Sequence, residues 1–190
     1  MYDKVVGTVG YGDPDVVCRA VTDLGLPKDA KFMDFGCGTG RVAHALAGIG
    51  YKNHDGIDAS EEMVKFAREK GCYQELEVMY LGMGEIPEKW KKDYDCLTCT
   101  ASLIPGHIPP DQGFNQMCDV VKKGGYIMFS VRDRYYESVG VKAKMEQMTR
   151  DGKMKHLKSY QWVKNEEMEG DKKTVMFYPE PATVYVYERL

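Results

Sequence analysis

Lys31-Phe32-Met33-Asp34-Phe35-Gly36-Cys37-Gly38-Thr39-Gly40 is the stretch on which the reading of this chain turns. Residues 31–35 read as a strand, and it runs into glycines at every second position. Glycine lets the backbone turn tightly and lets a ligand approach the main chain closely. A helix follows, with Val42, Ala45, Leu46 and Ile49 on one face and a stop at Gly48 or Gly50. The start of such a helix presents unpaired N–H groups to whatever lies in the turn.

A second acid, Asp58, ends the next strand, 53–58, where a carboxylate can accept both hydroxyls of a ribose. In a dinucleotide fingerprint the glycines fall as GxGxxG, and the third supports close helix–strand packing. Counted from Gly36, that third position is Arg41, and the glycine stands at Gly40 instead. Asp34, beside the turn, would repel a pyrophosphate but suits an amino group. The pattern therefore favours a nucleoside with a cationic amino-acid tail over a dinucleotide.

Outward from this stretch, strands and helices alternate. Ser60 reads as an N-cap, with Glu61 and Glu62 in the first helical turn and Met63, Phe66 and Ala67 as the apolar stripe. Residues 75–81 and 94–100 read as the third and fourth strands, with a loop between them. After the irregular segment 102–111, Asp111 reads as the cap of a helix with Phe114, Met117, Cys118 and Val121 on its stripe. Lys122, Lys123 and Gly124 suit the end of that helix. Residues 126–132 read as the fifth strand. Val141, Ala143, Met145 and Met148 suggest a further helix, and the basic run 142–158 a solvated helix face. Strands at 159–164 and 183–187 close the pattern. The expected class is α/β, a sheet with an antiparallel strand pair at its C-terminal edge.

Composition bounds the rest. The 190 residues are 43% apolar and 29% charged, a globular balance. A chain of this length buries about 70% of its unfolded surface and needs no disulfide or metal to fold. No repeat or linker divides it. One domain over 1–190 is expected, with 1–28 an N-terminal segment and partial lid, 29–135 the cofactor-binding core, and 136–190 the C-terminal helix and antiparallel strands. The net charge of −3 gives no reason to expect nucleic acid. No strictly apolar run exceeds four residues, so no membrane span is expected. Met1-Tyr2-Asp3-Lys4 lacks the apolar core of a secretion signal, so the expected setting is cytoplasmic. Cys96 and Cys99 have CxxC spacing, but residues three apart on a strand point to opposite faces. The cysteines are expected to be buried thiols, with no metal site.

With the glycine turn in place, the chain resembles the class I S-adenosylmethionine-dependent methyltransferases. The run Gly56-Ile57-Asp58-Ala59-Ser60-Glu61-Glu62-Met63, Tyr94-Asp95, and Lys122-Lys123-Gly124-Gly125 extend the match. More narrowly it is similar to the Williams–Beuren syndrome region methyltransferase-like proteins, on Tyr2-Asp3, Tyr73-Gln74, Leu81-Gly82, Ile86-Pro87, Gly106-His107-Ile108-Pro109-Pro110 and the strand end at 129–132. The resemblance implies a seven-stranded, doubly wound, Rossmann-like sheet and S-adenosylmethionine as methyl donor, with S-adenosylhomocysteine as product. It places Gly36, Cys37, Gly38 and Gly40 along the methionine and ribose, Asp34 near the amino group, and Asp58 on the ribose. Ala59 and Met63 would lie against the adenine and Gly82-Met83 at its edge, where many relatives carry an acid and this chain does not. Thr100 would face cofactor and acceptor, and Tyr2 and Tyr11 would close over the methionine end.

Methyl transfer from a sulfonium is an in-line displacement, so the protein mainly positions the nucleophile and excludes water. A general base is needed only when the acceptor must lose a proton. His107, stiffened by Pro105, Pro109 and Pro110, is the candidate base. Arg132 and Arg134 are candidate contacts for an acidic acceptor. A small molecule is the expected acceptor, with a protein acceptor as the alternative. The chain begins almost at Tyr2-Asp3, so the site is expected to be open or to be covered by a protein partner. The alternative to an enzyme is a catalytically silent subunit of the same fold. Retention of Asp34, the glycines and Asp58 favours the enzyme.

Overall fold

The computed structural model describes residues 12–162 and 181–190. Strand β1 (Lys31–Phe35) carries buried residues at 32–35 and lies between β2 (Asn53–Asp58) and β4 (Tyr94–Cys99), parallel to both. β3 (Glu75–Val78) pairs in parallel outside β2, and β5 (Val121–Arg132) outside β4. β7 (Ala182–Arg189) then runs antiparallel to β5, and β6 (Met154–Trp162) antiparallel to β7. The seven strands are ordered β3-β2-β1-β4-β5-β7-β6. The order reverses between β1 and β4, and in such sheets ligands bind in the crevice beyond the strands' carboxyl ends at a reversal of this kind.

Burial on both faces makes the central strands read as nearly continuous apolar runs. On one face Met33, Leu97, Cys99, Ile127 and Phe129 pack against α4 (Pro110–Val120) and α6 (Val141–Arg150). On the other, Phe32, Cys96, Met128, Val184 and Val186 pack against α1 (Asp13–Leu24) and α2 (Arg41–Gly48). Cys96 and Cys99 therefore belong to opposite cores, as their spacing on a strand requires.

Several boundaries differ from the sequence reading. Helix α1 has the signals of a helix, with Pro14 in its first turn, buried Val17, Ala20 and Val21, and Gly25 at its C-cap in the left-handed region. Only an undivided N-terminal segment was expected there. On α2 the buried stripe is Val42, Ala43 and Leu46, while Ile49 is exposed. On α3 (Glu61–Glu69) Val64 and Ala67 are buried, Met63 is half-buried and Phe66 exposed. α4 starts at Pro110, one residue before Asp111, which instead pairs with Lys144. α4 ends at Val120, and Lys122, Lys123 and Gly124 belong to the beginning of β5, with Lys122 ion-paired to Asp95. β3 stops at Val78 rather than residue 81. The basic run 142–158 is helix only to Arg150 and continues as strand from Met154, and Lys144 within it is buried. β6 ends its described part at Trp162, so the expectation for residues 163–164 lies outside the described residues. Between β5 and α6 sits the short α5 (Asp133–Ser138).

Candidate functional site

The glycine turn is fastened to β2 by its main chain. The Gly36 and Cys37 N–H groups both donate to the Ile57 carbonyl, at 2.8 and 3.0 Å, and Gly40 N–H donates back to Cys37 at 2.8 Å. Gly36 has φ +67°, and a Cβ there would run into the Ser102 hydroxyl, so the turn and the loop after β4 meet with no room for a side chain. Above Gly38, among the described residues, nothing lies within 4 Å of where a Cβ would be. That open face gives a ligand access to the main chain.

Asp58, half-buried at the end of β2, accepts Gly38 N–H at 2.8 Å on one oxygen and Ser60 N–H at 2.9 Å on the other. Each carboxylate oxygen has a second lone pair available, so the group is oriented and still able to accept hydroxyls. Ser60 caps α3 as expected, its hydroxyl accepting Met63 N–H at 3.3 Å. Ala59 is exposed beside it, with half-buried Met63 one turn into the helix.

Asp34 is buried below the turn rather than open to the crevice. Its oxygens accept the Tyr73 phenol at 2.7 Å and the Thr98 hydroxyl at 2.8 Å. Burial pushes its carboxyl up to about 6, partly offset by these two donors, with the Asp58 charge adding to the rise. Tyr73 was carried in the sequence only as a family resemblance; its role depends on a contact 39 residues away.

On the β3 side, Gly82 is buried and Met83 exposed. Gln116 of α4, itself buried, accepts Gly82 N–H at 2.6 Å and donates to the Gly84 carbonyl at 3.1 Å. A neutral amide thus holds this loop. On the β4 side, Thr100 is buried and its carbonyl accepts the Ser102 hydroxyl at 3.0 Å. Ala101 takes a left-handed φ of +54°, which costs about 1–2 kcal/mol for a residue with a Cβ. Its N–H donates to Ser130 Oγ at 2.9 Å, and that hydroxyl donates to buried Asp13 at 2.8 Å. The Trp162 indole donates to the other Asp13 oxygen at 2.6 Å. Nothing in the sequence reading singled out Asp13, Ser130, Trp162 or Gln116.

The remaining candidates are more peripheral. His107 is exposed in the turn of the loop after β4, its N–H donating to Ile104 at 3.1 Å. Arg132, the last residue of β5, and Arg134 in α5 are both exposed, Arg134 lying 4.5 Å over the Tyr135 ring. Tyr2 and Tyr11 lie outside the described residues. His54 is buried and bonded to the Tyr51 carbonyl at 2.8 Å, a core role.

The doubly wound sheet, with a glycine turn after β1 and an oriented acid at the end of β2, has the Rossmann-like methyltransferase fold. The chain belongs to the methyltransferase-domain family, whose model matches residues 26–178. It is 30% identical over 133 residues to human methyltransferase-like protein 27, a match covering 69% of this chain and 53% of that protein. It is 34% identical over 111 residues to the ubiquinone biosynthesis O-methyltransferase of Shewanella sp. strain ANA-3, covering 57% of this chain and 46% of that protein. The chain thus spans about half the length of these curated relatives. Among solved structures, the TehB-like SAM-dependent methyltransferase of Corynebacterium glutamicum superposes with a TM-score of 0.68 at 15% identity, over 98% of this chain and 94% of that one.

Proposed function

We propose that the protein transfers a methyl group from S-adenosylmethionine to a small-molecule acceptor by in-line displacement. The observation that carries this reading is the Asp58 carboxylate, fixed by Gly38 and Ser60 N–H groups beside the open face of Gly38. That pairing of acid and bare main chain fits a ribose and an amino-acid tail. Gly36, Cys37, Gly38 and Gly40 would line the tail, Asp58 would take the ribose hydroxyls, and Ala59, Met63, Gly82 and Met83 would border the base. Thr100 and Tyr11 would complete the methionine end.

The donor, when bound, supplies a methyl group on an already activated leaving group. The chain's own task is then to orient the acceptor and keep water out. The loop after β4 suits this, because Ala101 is held by Ser130 and Ser102 meets Gly36. His107 on that loop is the candidate base for an acceptor that carries a proton. The O-methyltransferase relative acts in ubiquinone biosynthesis, which supports a small-molecule acceptor. Four of the six cysteines are buried thiols, which suits a reducing, cytoplasmic setting.

Calorimetric titration with S-adenosylmethionine, S-adenosylhomocysteine and NAD tests the reading. Binding of the first two at about micromolar Kd, with none of NAD, is the expected outcome. A folded protein that binds neither would be a catalytically silent subunit instead.

A further inference from the structure

Tyr73 stands in the segment between α3 and β3, and two glycines make room for it. A Cβ on Gly40 or on Gly56 would come within 2.8 Å of its ring. The ring therefore fills the space between the glycine turn and β2, and its hydroxyl reaches across to Asp34 at 2.7 Å. Thr98 of β4 approaches the same carboxylate from the other side at 2.8 Å. Asp34 is only 2% exposed, so these two hydroxyls stand in for the water that a carboxylate otherwise keeps.

We infer that Tyr73 is a positioning residue of the cofactor site, acting through Asp34. Its phenol orients that carboxylate under the glycine turn and supplies a hydrogen bond the group needs to remain charged there. Tyr73 thereby sets the pH range over which the site accepts a ligand with a cationic amino-acid tail. The inference rests on the reading of the site as one for S-adenosylmethionine.

The electrostatics agree with the geometry. Among the described residues, the titratable groups that face Asp34 are Tyr73, Cys37 of the glycine turn, Cys72 beside Tyr73, Cys99 of β4, and Asp58 at the end of β2. Burial holds the phenol and the three thiols above their ordinary values, so they stay protonated near neutral pH. The Asp58 charge opposes ionisation of Asp34. The two O–H donors oppose burial and favour the charged form, and with them in place the carboxyl titrates at about 6. Above that pH the carboxylate attracts an ammonium or sulfonium. Below it, the neutral acid does not.

The test compares wild type, Tyr73→Phe and Thr98→Val by calorimetry with S-adenosylhomocysteine from pH 5 to 8.5. Phenylalanine keeps the ring between Gly40 and Gly56 and removes only the hydroxyl. Wild-type affinity should fall about ten-fold between pH 7.5 and 5 as Asp34 takes up its proton. Loss of one donor should raise the midpoint by about one pH unit. Tyr73→Phe should then bind about three-fold more weakly than wild type at pH 6.5 and equally at pH 8.5. Thr98→Val should move the curve in the same direction. Parallel curves for wild type and Tyr73→Phe, at any offset, would overturn the inference.

A second readout needs no ligand. The Asp34 carboxyl carbon, followed by NMR in the free protein, should titrate at higher pH in Tyr73→Phe, and an unmoved midpoint overturns the inference independently. Absence of S-adenosylhomocysteine binding at every pH would instead refute the cofactor reading and leave the NMR result to decide the role of Tyr73.

Discussion

The two sides of the crevice are built from different kinds of contact. On the β1–β2 side the holding groups are mainly main-chain and close in sequence: Gly38 N–H meets Asp58 over 20 residues, and Asp58 meets Ser60 over two. On the β5–β7–β6 side the contacts are between side chains brought from far apart. Asp13 takes the Ser130 hydroxyl across 117 residues and the Trp162 indole across 149. The C-terminal strands add a stack of aromatic rings, with Tyr136 on Tyr185 at 4.8 Å and Phe129 against Tyr185 and Tyr187 at 5.4 and 5.8 Å. A donor common to many enzymes can be held by a compact, backbone-based motif. Contacts between side chains brought from distant segments leave no such local signature.

The contrast can be broken most severely at the seam between the sides. Gly36→Ala would place a Cβ against Ser102 on a backbone of φ +67°. The left-handed conformation alone costs about 1–2 kcal/mol, so with the clash added S-adenosylhomocysteine binding should weaken by roughly 100-fold, read by calorimetry. Retained affinity would show that the turn has slack.

Asp13→Ala tests the other side by itself. It strands the Ser130 hydroxyl and the Trp162 N–H, and urea unfolding should show a loss of about 2 kcal/mol. S-adenosylhomocysteine affinity should change by less than about two-fold, because local backbone contacts hold the donor side. A large affinity loss would mean that the two sides are coupled.

Asp58→Ala should weaken cofactor binding by more than about ten-fold, and it should also lower the unfolding midpoint, because the Gly38 and Ser60 N–H groups lose their acceptor. Unchanged affinity in the folded variant would remove Asp58 from the site. The smallest effect on binding is expected at His107→Ala. An exposed loop histidine should leave S-adenosylhomocysteine affinity within about two-fold of wild type. Its test is turnover once an acceptor is found, and wild-type turnover would reduce His107 to loop structure.

How much could be read in advance follows the same division. The strands through β5, the glycine turn, the Ser60 cap and Asp58 were legible because each depends on a few adjacent residues and on a steric or hydrogen-bonding rule that acts over that range. Helix α1 carries ordinary local signals, Pro14 in its first turn and Gly25 at its C-cap, within what the sequence pattern reads as an undivided N-terminal segment. The end of α4 was misplaced because Lys122, Lys123 and Gly124 suit a helix end equally well. Val121 instead pairs with Tyr94, the three residues fall at the irregularity between that pair and Cys96–Tyr126, and Lys122 is ion-paired to Asp95.

Alone, the sequence determined an α/β sheet, a tight turn before a helix, and an acid at the end of the second strand. Those features follow from hydrophobic period and from the backbone freedom of glycine, both local properties. Only the tertiary structure decided that Asp34 is sealed beneath the turn by Tyr73 and Thr98. It likewise decided that Gln116 holds the Gly82–Gly84 loop and that Asp13 ties the first helix to β5 and β6. The energy of those contacts comes from burying polar groups together. Which polar groups are buried together depends on the order of strands in the sheet, not on their order in the chain.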